Sequence, residues 1–491
     1  MRRGVVRVAV AAVAVVGAGL LAGSLTFSPK SAYREIARHL SWRSTPVATI
    51  ADLGPADRPI ALALRAVLLP ELERIVAHPG TRAALRDFYR SRRFAPLWIE
   101  AGAANARART AVEYLGGVDS DGLNPSDYPT PAFETAADPR ASAIAELQLT
   151  YSVLRFARDA RGGRIELVRT DESIGYQSNA LRSVDVLATL AETNDVKGLL
   201  DSFHPPHSGY RALKTRLAEL RAGTLRPDQV MDARRGPPVT RPADLLIANL
   251  ERWRWMPRDL GVSYVTVNIP DYSLRLVRDG RTVFRTKVVV GQPSWPTPMM
   301  SADMTSITVN PIWNVPQTIV EREFLPMMRD DPTFAERVGL QVVKREDGRV
   351  HMYQSPGDFN VLGDLRFNFP NRFAVFQHDT SEPFLFDFAV RAQSHGCVRV
   401  QRATEYAATL LSIARPDEEF TQSRLRALRG YREIEIEFAE SIPVHLTYQT
   451  AFVDDEQRLV VRDDIYAHDV RLVRALRRAQ QEVASVRRSA Q

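Results

Sequence analysis

Apolar residues recur at helical spacing through the first half of the chain. Leu62, Val67, Leu68, Leu72, Ile75 and Val76 fall three and four apart, the stripe of an amphipathic helix. Residues 111–115, 144–157, 184–191 and 210–220 repeat that texture. Asp119-Ser-Asp-Gly122 and His204-Pro-Pro-His207 interrupt it, as Gly and Pro do between elements. Few segments alternate, so residues 56–220 read as a helical domain. Residues 221–241, with Gly223, Pro227, Gly236, Pro237 and Pro238, read as a connector.

The pattern then changes. Residues 245–255 form one more short helix, and 262–269 and 272–277 alternate at period two, as half-buried strands do. Asp279-Gly280 supplies a hairpin turn, after which 283–290 return. Further strand-like runs are 306–309, 349–353, 373–376, 398–400, 433–438 and 444–448, while 319–328 and 332–337 look helical. Residues 470–486 make a basic amphipathic C-terminal helix. The second half is therefore α+β with an antiparallel-leaning sheet.

Charge and cysteine content narrow the function classes. The 65 Lys+Arg and 58 Asp+Glu give +7, but no dense basic patch argues for nucleic acid. One cysteine excludes an internal disulfide and any multi-cysteine zinc site. Arg2, Arg3 and Arg7 lead into an apolar run over 8–23, the layout of a secretory signal. Residues 1–27 are either a cleaved signal peptide or an uncleaved anchor, and both readings export the rest through a linker at 28–55. An unpaired thiol in an oxidising compartment is a candidate reactive group, although from composition alone a buried inert cysteine is the better reading.

That thiol, Cys397, lies in Gln393-Ser-His-Gly-Cys-Val-Arg-Val400. Gly396 permits a sharp turn that presents the sulfur and aims backbone N–H groups at a developing oxyanion. His395 is two residues away, and His378 ends a strand-like run, so a Cys–His nucleophile pair competes with a plain structural turn.

His378, then fifteen residues, then Ser394-His-Gly-Cys-Val-Arg-Val resembles the signature of the YkuD-type L,D-transpeptidases, peptidoglycan enzymes with a cysteine nucleophile. The stretches 249–257, 289–291, 296–298, 310–316, 355–357, 360–363, 369–371 and 378–380 resemble that family's large periplasmic branch. Phe88-Tyr-Arg90, Pro96-Leu-Trp98, Gly122-Leu-Asn-Pro125 and Asp127-Tyr128 resemble the branch's scaffold domain. The resemblance spans roughly 85–470. It implies an all-α scaffold domain at 56–220, the connector at 221–241 and a β-rich catalytic domain at 242–420. A mobile cap is inserted at about 319–350, and strands and a basic helix follow at 421–491. The connector is too short for the small peptidoglycan-binding module that relatives often carry there.

The resemblance also implies roles. Cys397 attacks a tetrapeptide stem at its third residue, releases D-Ala and holds a thioester, with His378 as base, partnered by a backbone carbonyl near Asp379. Ser394, His395, Gly396, Arg399, Trp313 and Asn360 are oxyanion or substrate-binding candidates. Gly396 and Cys397 supply N–H donors, Arg399 either orients a substrate carboxylate or fixes the turn by an ion pair, and Gly363 is a weaker cleft candidate. Transfer to a meso-diaminopimelate amine gives a 3→3 cross-link, and a carbapenem should acylate Cys397. D-amino-acid exchange, protein-to-wall attachment or its hydrolysis would use the same acyl-enzyme, and a non-catalytic wall-binding scaffold is the reading from another class. No metal or cofactor is implied, and His204 and His207 read as loop residues. The partners are peptidoglycan stems and other wall-synthesis proteins, no nucleic acid, and the inner membrane only if the N-terminal segment is retained.

Overall fold

The computed structural model describes residues 49–490 apart from 77, 134–137, 166–171, 236–239 and 347. The signal or anchor segment and most of the 28–55 linker lie outside the described residues.

Among the described residues eight α-helices come first: α1 (Asp57–Ile75), α2 (Pro79–Ser91), α3 (Ala106–Gly116), α4 (Pro139–Gly162), α5 (Ser183–Glu192), α6 (Val196–Asp201), α7 (Ser208–Ala222) and α8 (Pro242–Trp255). Their ends follow local chemistry. The Asp138 carboxylate accepts from the Arg140 and Ala141 N–H groups at the start of α4, with Pro139 in its first turn, and Asn105 caps α3. The α1–α6 helices close around one core built from Leu64, Leu85, Trp98, Leu147, Phe156 and Leu190. At its centre is Glu146, fully buried, which accepts from the Leu97 and Trp98 N–H groups and from Tyr89 Oη. Burial pushes its carboxyl above the ordinary range, against the pull of those donors. Tyr89 and Trp98, two of the residues that carried the scaffold resemblance, thus serve to satisfy one buried acid.

The second half is built on a sheet of nine strands among the described residues: β1 (Ser263–Asn268), β2 (Ser273–Arg278), β3 (Arg281–Gly291), β4 (Met300–Val309), β5 (Leu365–Asn368), β6 (Gln377–His378), β7 (Ala392–Ser394), β8 (Val398–Val400) and β9 (Ile434–Thr447). Their spatial order is β7-β3-β8-β6-β5-β4-β9-β1-β2, and β2 pairs back onto β3, so the sheet closes into a barrel. Most pairings are antiparallel, while β6–β8, β3–β7 and β1–β9 are parallel. Helices α9 (Ala403–Ala414) and α10 (His468–Ala490) cover it, and Tyr406, Leu410 and Leu472 join the barrel core.

Several elements depart from the sequence pattern. Residues 373–376 are not a strand: Asn371 accepts from the Phe373 and Val375 N–H groups, and Ala374 sits at φ 53, so the chain turns before β6. The two runs at 433–438 and 444–448 are one strand, β9, whose register shifts between Glu437 and Ile442. Val230–Asp232, inside the expected connector, pairs in parallel with Leu459–Val461.

Between β4 and β5 lies an inserted cap. Trp313–Asn314, Gln341–Lys344 and Val350–Gln354 make its three-stranded sheet, and a π-helical turn spans Val320–Phe324. Val315, Ile319, Val320, Ala335, Leu340 and Met352 form a small core of its own.

The first residues of α8 face α7, and the rest of the helix joins the two halves. Glu251, fully buried, accepts from the Arg164 and Ile165 N–H groups and pairs with Arg254 at 3.0 Å. Arg254 also donates to the Asp121 carbonyl at 2.6 Å and to Tyr210 Oη, while Arg252 pairs with Asp469 of α10 at 2.6 Å. His204 and His207, read as loop residues, are buried here. His204 meets Tyr210 Oη at 3.2 Å, and the His207 ring packs on Trp253. Burial lowers each imidazole to about 4.

Candidate active site

The β6–β8 pairing sets the site. Its parallel register places His378 opposite Arg399 and Gln377 opposite Val398. Side chains alternate along a strand, so His378, Arg399 and Cys397, the residue just before β8, share one face. Val398, Val400 and Gln377 turn to the other face, where all three are fully buried and Gln377 Oε1 accepts from Tyr406 Oη. The core thereby fixes the register that brings the one thiol beside an imidazole.

Glycines shape the turn before Cys397. Gly396 sits at φ 105, a conformation that side-chain-bearing residues rarely adopt. A Cβ on Gly291 would stand 2.0 Å from the Trp295 carbonyl and 3.0 Å from the Gly396 Cα, so the 292–298 loop can press against the turn only there. Thr297 Oγ1 donates to the Gly396 carbonyl at 2.8 Å, accepts from the Gly291 N–H, and locks the two segments together.

The His378 Nδ1–H donates to the Asp379 carbonyl at 2.5 Å. A carbonyl can only accept, so this bond fixes the tautomer and leaves Nε2 with its lone pair. Burial, and next the Arg399 charge, lower the imidazole to about 3. Burial raises the Cys397 thiol to about 11, against a backbone hydrogen bond from Phe376 and the Arg399 charge. Both shifts favour a resting thiol and neutral imidazole over a thiolate–imidazolium pair. The arrangement can move a proton from sulfur to nitrogen at the moment of attack.

The other candidates divide. Ser394 is buried: its Oγ donates to the Cys397 carbonyl at 2.5 Å and accepts from the Gly396 N–H, so it ties the turn and does not face a substrate. The Gly396 donor expected for an oxyanion is therefore engaged with Ser394, which leaves the Cys397 N–H as the remaining candidate. Asn360 is fully buried and corrects its assignment to the cleft. Its Nδ2 donates to the Pro311, Gln354 and Ser355 carbonyls, where the cap joins the barrel. Trp313, half-buried, packs edge-on to Phe324 and against the small core of the cap. Gly363 backs on Asp379 and Thr380, just past His378. Arg399 pairs with Glu382 at 2.5 Å, and its Nε is buried without a partner. His395 is exposed, and its Nε2 lies 3.0 Å from both carboxylate oxygens of Glu323 in the cap. Glu323, Glu382, Thr297 and Trp295 had no local signature. Glu323 comes from a segment distant in sequence, Glu382 follows His378 by four residues, and Thr297 lies in the Pro296-Thr-Pro298 block, beside Trp295, that resembled the family.

Among the described residues no group of His, Cys, Asp and Glu could hold a metal ion.

Two family descriptions match the chain: "Scaffold domain" over residues 83–217 and "L,D-transpeptidase catalytic domain" over residues 262–420. A Haemophilus influenzae protein named "Putative L,D-transpeptidase" is 25% identical over 405 residues, 78% of each chain. Among solved structures, an L,D-transpeptidase from Mycobacterium smegmatis is 9% identical over 38% of this chain and 58% of its own, at a TM-score of 0.21. This chain thus spans less than two thirds of that protein. The catalytic domain of an Enterococcus faecium L,D-transpeptidase is 15% identical over 38% of this chain and 95% of its own, at a TM-score of 0.19. Likeness at these TM-scores carries no argument. The family matches do: the chain is an enzyme in which a helical scaffold domain precedes a β-rich L,D-transpeptidase catalytic domain.

Proposed function

We propose that this enzyme forms 3→3 cross-links in peptidoglycan through a thioester on Cys397. The observation that carries the reading is the shared face of Cys397 and His378 on paired strands, with Nδ1 of the imidazole tied to the Asp379 carbonyl. Cys397 Sγ attacks the third-residue carbonyl of a tetrapeptide stem as its proton passes to His378 Nε2. The Cys397 N–H holds the oxyanion, an interaction worth about 3 kcal/mol where one donor is lost. The intermediate collapses, the amine of D-Ala takes the proton from His378, and a thioester remains. A meso-diaminopimelate amine then gives a proton to Nε2 and attacks, and the departing thiolate recovers that proton. The pairing of Arg399 with Glu382 supports a turn-fixing role for Arg399.

The apolar run after Arg2 and Arg3 supports export to the periplasm, with the inner membrane as a partner only if that segment is retained. A reporter fused after residue 60 should be active only outside the cytoplasm, and cytoplasmic activity would contradict export.

The activity test supplies purified tetrapeptide stems as donor with a stem amine, a free D-amino acid or water as acceptor. Cross-linked dimer as the dominant product supports the reading. Dominant D-amino-acid exchange or hydrolysis would assign the acyl-enzyme to a different acceptor.

A further inference from the structure

The cap touches the Cys397 turn through two neighbouring residues of its π-helical turn. The Arg322 guanidinium lies 5.6 Å from the centre of the Trp295 ring, and Glu323 meets His395 Nε2 with both oxygens at 3.0 Å. The Trp295 and His395 rings in turn pack 5.8 Å apart. Trp295 belongs to the loop that Thr297 ties to Gly396, and His395 is two residues from the thiol, so both contacts act on the same turn. Single π turns recur at functional sites because the extra residue re-aims the side chains around it. Here the turn carries Arg322 and Glu323.

The cap shares no strand with the barrel and packs around a core of its own. Its placement over the turn therefore depends on its chain connections and on such side-chain contacts. The Glu323 and His395 side chains are 27% and 36% exposed. A pair that open to water biases an equilibrium by a factor of about two to five, enough to hold a cap that must also release substrate.

We propose that Glu323 is a positioning residue, which holds the His395 ring and, through it, docks the cap over Cys397. This rests on the reading of Cys397 as the reactive thiol. The device couples two events: a cap that closes brings the carboxylate that orients the ring beside the nucleophile, and a cap that opens leaves His395 untethered.

The test measures alkylation of Cys397 by iodoacetamide through intact-protein mass, alongside kcat and KM for a tetrapeptide stem. Glu323→Ala and His395→Ala should each label about two to five times faster than wild type, and the double variant no faster than either single one. KM should rise by a similar factor with kcat changed less than about twofold. Arg337→Ala, which removes a cap charge paired with Asp331 inside the cap, should label at the wild-type rate. Unchanged labelling in Glu323→Ala, or additive effects in the double variant, would overturn the proposal. The labelling arm reads the docking even if the tetrapeptide proves not to be a substrate, so the two readings fail separately.

Discussion

The barrel junction and the cap are held by opposite means. At the junction, Glu251, Arg254 and Arg252 are almost fully buried, and each is tied to a segment distant in sequence. At the cap, the links to the site are half-exposed, and the apolar cluster beneath is small and separate. Buried charge held in an ion pair makes an interface costly to open, because either partner left alone is stranded in a low-dielectric interior. Surface pairs let a segment come and go. The scaffold and barrel are thus joined by contacts that are costly to break, and the cap is joined to the site by contacts that cost little.

Breaking the junction should give the largest stability effect. Glu251→Ala strands Arg254 and should cost about 3–5 kcal/mol, read as a fall in the denaturation midpoint. A loss below about 1 kcal/mol would show that water already reaches the network.

The two cores can be compared with like substitutions. Leu410→Ala, fully buried in the barrel core, should cost about 2–5 kcal/mol of global stability. Met352→Ala, fully buried in the cap core, should leave the global transition within about 0.5 kcal/mol and speed hydrogen exchange within the cap alone. Equal effects on the global transition would mean that the cap and barrel unfold as one unit.

Acid sharpens the contrast. His204, His207 and His378 have imidazoles lowered by burial to about 4, 4 and 3. Between those values and about 6.5 the unfolded chain binds protons that the folded chain refuses. Stability contributed by these groups is therefore complete above pH ~6.5 and falls as the pH drops toward 4. His204→Gln should flatten that slope, measured as the midpoint across pH 4–7, and an unchanged slope would remove His204 from the account.

Much of this contrast was legible in the sequence, though unevenly. Cys397 and His378 stood out because a lone thiol after a glycine and a histidine at fixed spacing are local features. The helical and strand halves followed from periodicity, since each element buries a face. The residues that link distant segments were invisible. His204 and His207 do lie in a loop, but their burial was not legible because the groups that cover them, Tyr210, Phe156 and Trp253, come from other elements. In the sequence nothing distinguishes Glu323 from a solvated acid on a helix, because its partner His395 is 72 residues away. Asn360 was assigned to the cleft because its surrounding block resembled the family, while its role is to bind three carbonyls where the cap meets the barrel.

The smallest expected effect concerns the thiol itself. With Cys397 raised to about 11 and His378 lowered to about 3, iodoacetamide labelling should climb steadily from pH 6 to 10 without a plateau. A plateau near neutrality would reveal a resting thiolate–imidazolium pair.

The central claim is that Cys397 carries the acyl group with His378 as its base. Its most direct test is the intact mass of the protein after exposure to a tetrapeptide stem. Wild type should gain the acyl mass at Cys397 and release D-Ala. Cys397→Ala should remain folded and gain nothing, and His378→Ala should acylate about 10²–10⁴ times more slowly. A folded Cys397→Ala protein that still acylates or cross-links, or an acyl group mapped to another residue, would contradict the account.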